Sequence, residues 1–136
     1  MSLEIAKEFA ILLDNNQFDE ASLCMAENCE YHYFEGDYRG RENIISLYRQ
    51  HHEHAIKILD EVNYSSEVSE TEDGNYRILF IDKIRKGHKW HEYRCHQIVR
   101  FGNNQIVSIL HSEIPGEIES LKMFYSRSVP EKLILP

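Results

Sequence analysis

An α+β domain is the fold class that the sequence predicts: a curved antiparallel sheet wrapped around N-terminal helices, leaving a central pocket. Three observations predict it. Helical periodicities fill the chain up to about Ala55, broken by one aromatic run. Period-two alternation then takes over as far as Ile114. Tight-turn tripeptides divide that second part into strands of about ten residues or more, and strands of that length twist and curl strongly. Segregated helices and a meander make an α+β domain, and a curled sheet closed by helices on its concave side makes a cone with a cavity.

Each element follows from its own pattern. Residues 3–14 place Ile5, Phe9, Leu12 and Leu13 on one face, an amphipathic helix that Asn15-Asn16 ends. Asn16, three residues before Asp19, resembles a helix start, and a short helix carrying Phe18, Ala21 and Met25 is expected there. A strand follows over 29–34. Gly36 and Gly40 mark a turn, and a helix from about Arg41 to Ala55 buries Ile44, Ile45, Tyr48 and Ala55. Ile56, Ile58, Val62 and Tyr64 share one parity in a strand segment reaching about Glu72. Asp73-Gly74-Asn75, Lys86-Gly87-His88 and Gly102-Asn103-Asn104 are the turns before strands at Tyr76–Arg85, Lys89–Phe101 and Gln105–Ile114. Pro115-Gly116 ends the sheet, and Glu117 to Arg127 forms a last helix on Leu121, Phe124 and Tyr125. One domain is expected over 1–136, with its core at about 3–127 and a tail at 128–136.

Composition narrows the function. Hydrophobic residues make up 42% and charged residues 28%, which is globular rather than disordered. The net charge of −8 argues against nucleic acid and against anionic membrane surfaces. No apolar run approaches the ~20 residues that span a bilayer, so no membrane association is expected. The first residues lack the basic start and apolar stretch of a signal peptide. Cys24, Cys29 and Cys95 cannot all pair within one chain, and free thiols in a cytoplasmic protein are expected.

Tyr31-His32-Tyr33-Phe34-Glu35-Gly36-Asp37-Tyr38 concentrates aromatic rings with polar tips directly before a helix. Buried Tyr and His need partners, so such a run suits the wall and mouth of a pocket that is apolar but not purely so.

The pattern Phe9…Leu13-Asp14-Asn15-Asn16-Gln17-Phe18-Asp19, then Met25-Ala26-Glu27-Asn28-Cys29-Glu30-Tyr31, then Tyr38-Arg39-Gly40-Arg41-Glu42-Asn43-Ile44, then Ile98-Val99-Arg100-Phe101-Gly102-Asn103-Asn104-Gln105-Ile106-Val107, resembles the nuclear transport factor 2-like superfamily. The resemblance is to its SnoaL-like and ketosteroid-isomerase-like members and covers about 3–127. It implies a cone with a central pocket, the cystatin-like α+β barrel, usually dimeric through the outer sheet face.

Strand parity then sorts the residues. Tyr93, Cys95, Gln97, Val99 and Phe101 share an uncharged face that fits a pocket wall. The family register turns Val107, Ile109, His111 and Glu113 inward. On the preceding strand the Phe80 and Asp82 parity is preferred over Leu79, Ile81 and Lys83. The expected pocket comprises Phe9, Tyr31, Tyr33, Tyr48, Phe80, Tyr93, Gln97, Val99, Ile109 and Glu113, around His111 and Asp82. Leu79, Ile81, Ile98, Ile106 and Leu110 would face outward. Apolar residues on an outer sheet face point to a covered surface, most simply a homodimer.

Carried over from ketosteroid isomerases, the base position falls on Tyr33, the oxyanion tyrosine on Phe9 and the protonated acid on Gln97. All three depart from the pattern, since Phe9 cannot donate a hydrogen bond and a tyrosine is a poor base at neutral pH. Steroid isomerisation by that route is not expected. SnoaL-like cyclases place an acid and a histidine on the later strands. Here His111, with Asp82 or Glu113, is the inward acid–base set, against the alternative of a structural histidine bonded to Tyr33 or Gln97.

No metal is expected. His51, His52 and His54 cluster at a helix end that favours positive charge, and His91 and His96 face opposite sides of a strand. No phosphate loop, Gly-x-Ser-x-Gly elbow or dinucleotide fingerprint occurs, so no cofactor is expected. Arg39 or Arg41 could clamp a ligand carboxylate at the mouth. Two functions stand side by side. One is a cofactor-independent isomerase, cyclase or lyase acting on a small, largely apolar or aromatic molecule. The other is a non-catalytic ligand-binding or protein-interaction module.

Overall fold

The computed structural model describes residues 2–129, and the tail expected beyond them lies outside the described residues. The order is α1 (Ser2–Asp14), α2 (Phe18–Ser22), β1 (Met25–Tyr33), β2 (Gly36–Arg39), α3 (Arg41–Ile58), β3 (Glu61–Glu70), β4 (Tyr76–Lys86), β5 (Lys89–Gly102), β6 (Gln105–Glu113) and α4 (Glu117–Ser128). No helix among the described residues is long and apolar enough to cross a membrane.

The helices form where the apolar spacing requires them. Ala6, Phe9, Ala10 and Leu13 are the buried face of α1, which lies against β3 and β4. Asn16 ends that helix in the left-handed region, φ 60°, and donates its N–H to the Leu13 carbonyl at 3.0 Å. It is therefore committed to terminating α1. Gln17 stands at the cap of α2 and makes no side-chain cap. Met25 belongs to β1 and not to the helix, pairing with Ile106 in the core.

Two boundaries differ from expectation. The segment between Gly36 and Gly40 is a short strand, not only a turn. Tyr38 pairs with Tyr31 and Arg39 with Glu30, whose carboxylate accepts from Arg39 Nη2 at 2.9 Å. Helix α3 also continues through Ile58, so Ile56 and Ile58 are helical and their shared parity with Val62 is coincidental. Ile58 is buried at the helix end while Ile56 is exposed. Gly40 admits the chain to α3 at φ 92°, a conformation that side chains strain, and donates to the Cys29 carbonyl at 2.8 Å.

Among the described residues six strands form one curved sheet in the order β2-β1-β6-β5-β4-β3. Neighbours are antiparallel except β1 and β6, which run parallel. Most of the chain separates these two strands, so no hairpin dictates their direction. Among the described residues the sheet curves around the helices without closing, and β2 and β3 are its edges, as in the expected cone.

One bulge resets the inward parity on β6. Arg100 pairs with Ser108 and Phe101 with Ile106, leaving Val107 unpaired between them. Ile106 is thereby turned into the core and fully buried, contrary to its expected outward place. The Val107 side chain lies over Gly102, where an added Cβ would come within 3.1 Å of it. The core has two parts. The larger joins α1 and α3 to the sheet around Phe9, Ile44, Ile78, Val99 and Ile109. The smaller sits under α4 around Ile58, Leu59, Ile84 and Phe124.

Candidate functional site

The larger core fills only part of the cone. Towards the wide end the sheet, α3, α4 and the end of α1 border an open cavity of about 470 Å³, within the size range of small-molecule sites. Each strand that crosses the concave face contributes alternate residues to its wall: Tyr31 and Tyr33 from β1, Phe80 and Asp82 from β4, Tyr93 and Gln97 from β5, His111 and Glu113 from β6. Helix α3 adds Tyr48, His51 and His52, and α4 adds Leu121 and Tyr125.

A hydrogen-bonded chain runs through this wall. Tyr48 donates to Gln97 Oε1 at 2.5 Å. The Gln97 amide faces Tyr31 Oη at 3.3 Å and His111 Nδ1 at 3.2 Å. His111 Nε2 contacts Glu113 Oε2, and Tyr93 donates to Glu113 Oε1. This fits an imidazole protonated at Nε2, donating to Glu113 while its Nδ1 accepts from the amide. Tyr33 packs edge-on against the His111 ring at 5.1 Å and makes no hydrogen bond to it.

Asp82 is the contrasting group. It stands on β4 between Tyr64 of β3 and Tyr93 of β5 and makes no hydrogen bond among the described residues. Burial, and then the charge of Asp14, push its carboxyl up to about 7. The acid bonded to His111 is therefore Glu113 and not Asp82, because β6 parity places Glu113 two residues away on the same face. Burial also raises the phenols of Tyr31, Tyr33, Tyr48, Tyr64 and Tyr93, so none of them serves as a base at neutral pH.

Three expected pocket residues lie elsewhere. Phe9, Val99 and Ile109 are fully buried in the larger core, one layer behind the cavity towards the narrow end. Their parity points inward, but at that level α1 fills the cone. Arg39 and Arg41 do not reach the cavity: Arg39 pairs with Glu30 outside, and Arg41 lies 3.4 Å from the Met25 carbonyl. Among the described residues no group of three His, Cys, Asp or Glu side chains is placed to hold a metal ion.

No protein-family model matches the chain, and no curated protein does. Solved structures do match. A candidate polyketide cyclase from Xanthomonas campestris pv. campestris shares 9% identity, with a TM-score of 0.66 over 93% of this chain and 96% of its own. An NTF2-like protein from Exiguobacterium sp. 255-15 shares 12% identity, with a TM-score of 0.61 over 82% of this chain and 98% of its own. The fold is the NTF2-like fold. TerC, crystallised with polyporic acid, is a further structure similar to this chain, at 10% identity and a TM-score of 0.66 over 88% of this chain and 96% of its own.

On this NTF2-like frame, the positions carried over from ketosteroid isomerases divide. Tyr33 is in the wall, Gln97 is at the centre of the hydrogen-bonded chain, and Phe9 is behind the wall. Several wall residues lay outside the expected pocket. Tyr64 shares its parity with Val62, but β3 begins at Glu61, later than the parity predicts. Tyr125 and Leu121 were readable as the apolar side of the last helix, though not as a lid over a cavity. His52, whose Nδ1 lies 2.8 Å from Tyr64 Oη, had no signal beyond its neighbours in sequence.

Proposed function

We propose that this chain is a SnoaL-like protein, a single cytoplasmic domain over 1–136. It binds a small, largely apolar or aromatic molecule in the cavity and moves a proton on it without a cofactor, as an isomerase, cyclase or lyase does. His111 with Glu113 forms one acid–base group and Asp82 the other. The observation that carries this reading is the cavity itself, which Tyr31, Tyr33, Phe80, Gln97 and His111 line. The resemblance to a candidate polyketide cyclase supports the reaction class, and the structure containing polyporic acid supports a small-molecule occupant.

Ligand-observed NMR with a library of small aromatic compounds tests the binding half. Binders are expected that are lost in Ala55→Trp, which fills the cavity, and a protein that binds none overturns the reading. For any compound that turns over, His111→Ala abolishes turnover with an unchanged circular dichroism spectrum. A second reading is binding without chemistry. It is favoured by one observation: both ring nitrogens of His111 are already engaged within the protein. Undiminished turnover in His111→Ala would remove His111 from the catalytic role.

The outer sheet face is the proposed surface of a homodimer. Leu79, Ile81 and Ile98 are half-buried there and Leu110 is exposed. Sedimentation velocity at micromolar protein is expected to give a dimer, and Leu110→Lys a monomer; a wild-type monomer overturns the assignment.

A further inference from the structure

The charge of the cavity is one-sided. Asp14, Glu35, Asp82 and Glu113 line it, and among the described residues no lysine or arginine does. Of the histidines that line it, desolvation holds His51 and His52 below the ordinary imidazole range, His111 is paired to Glu113, and His54 is exposed on α3. An anionic ligand would enter this space with no counter-charge, against a net charge of −8.

Tyrosine rings from several elements, Tyr48, Tyr64, Tyr93 and Tyr125 among them, line the same space. Their π faces attract cations. Asp82 lies among them, half-buried in the cavity wall and without a hydrogen-bond partner among the described residues. A carboxyl that lines the cavity with no protein partner among the described residues is open to a partner supplied by a ligand.

We propose that the ligand of this cavity carries a basic nitrogen on an apolar or aromatic skeleton, and that Asp82 is its partner. The proposal rests on the pocket being a small-molecule site. The exchange is balanced: a neutral ligand nitrogen takes the Asp82 proton, one O–H bond breaks, one N–H bond forms, and an ammonium–carboxylate pair remains. An ammonium ligand arriving already charged instead displaces that proton to solvent. The groups facing Asp82 are Asp14 from α1, Tyr64 from β3, Tyr93 and Cys95 from β5 and Tyr125 from α4. None of them is a cation.

Three probes of one skeleton test this by titration calorimetry: 4-phenylbutylamine, 4-phenylbutanol and 4-phenylbutyrate. At pH 8 the amine should bind about tenfold more tightly than the alcohol, the ratio that one charge-assisted hydrogen bond supplies, and the carboxylate most weakly. From pH 5.5 to 8 the amine should tighten by about tenfold or more as Asp82 ionises, while the alcohol stays level. In Asp82→Asn the preference for the amine should vanish and the alcohol should still bind. Alcohol and amine binding equally to the wild type, or a preference that survives in Asp82→Asn, overturns the inference and leaves the pocket intact. Should the variant not fold, a pH-independent amine-to-alcohol ratio in the wild type overturns it. No binding by any of the three overturns the pocket reading itself.

Discussion

Asp82→Asn stabilises the protein at pH 8 by about 2–4 kcal/mol and flattens its loss of stability between pH 4 and 7. In the folded protein this carboxyl keeps its proton up to about 7, while in the unfolded chain it releases it near the ordinary value of 3.8. Below the lower value both states are protonated and the group contributes its full stability. Between the two, the unfolded chain ionises first and stability falls by about 1.4 kcal/mol per pH unit. Above the higher value the loss is complete. An asparagine has the shape of the protonated acid and never ionises, so the difference between the two proteins isolates this one group. Urea denaturation at a series of pH values measures it, and parallel stability profiles for wild type and variant would refute it. A gain in stability on removing a charge from a cavity wall is what a functional site retained at a cost to the fold should show.

The second large effect is at Gln97, which is 3% exposed and holds three partners at once. Gln97→Leu keeps the volume but leaves the Tyr48 and Tyr31 hydroxyls and His111 Nδ1 without their partner. Buried polar groups stripped of partners cost about 1–3 kcal/mol each, partly recovered by water entering the cavity. The expected net loss is about 2–4 kcal/mol in chemical denaturation. Tyr48→Phe combined with Gln97→Leu should cost less than the sum of the two single changes, because the first removes a group that the second would leave unsatisfied. Strict additivity would show that the two side chains do not act together.

The same residue illustrates what was legible. Strand parity put Gln97, Tyr93, Phe80 and Asp82 on the concave face, since alternation along a strand is a local property. It could not place them along the depth of the cone. Val99 and Ile109 have the same inward parity, yet α1 fills the space in front of them, while two residues further along the strand the space is open. The β6 bulge had no local signature either: Val107 reads as one more alternating valine until its pairing with β5 is known.

The sequence by itself determined the class of fold, the order of nearly every element and the faces that meet. Those follow from periodicity and turn chemistry within a few residues of each position. The resemblance to ketosteroid isomerases also implies that Tyr33 and Phe9 stand where those enzymes keep a base and an oxyanion tyrosine, a difference visible without coordinates. Tertiary structure alone decided that Glu113 and not Asp82 joins His111, that Arg39 and Arg41 turn away, and that among the described residues Asp82 has no hydrogen-bond partner and the cavity holds carboxyls and tyrosines without a lysine or arginine. Each of these depends on side chains brought together from strands and helices far apart in the chain. The charge of a cavity is a sum over all its walls, and no single stretch of sequence contains it.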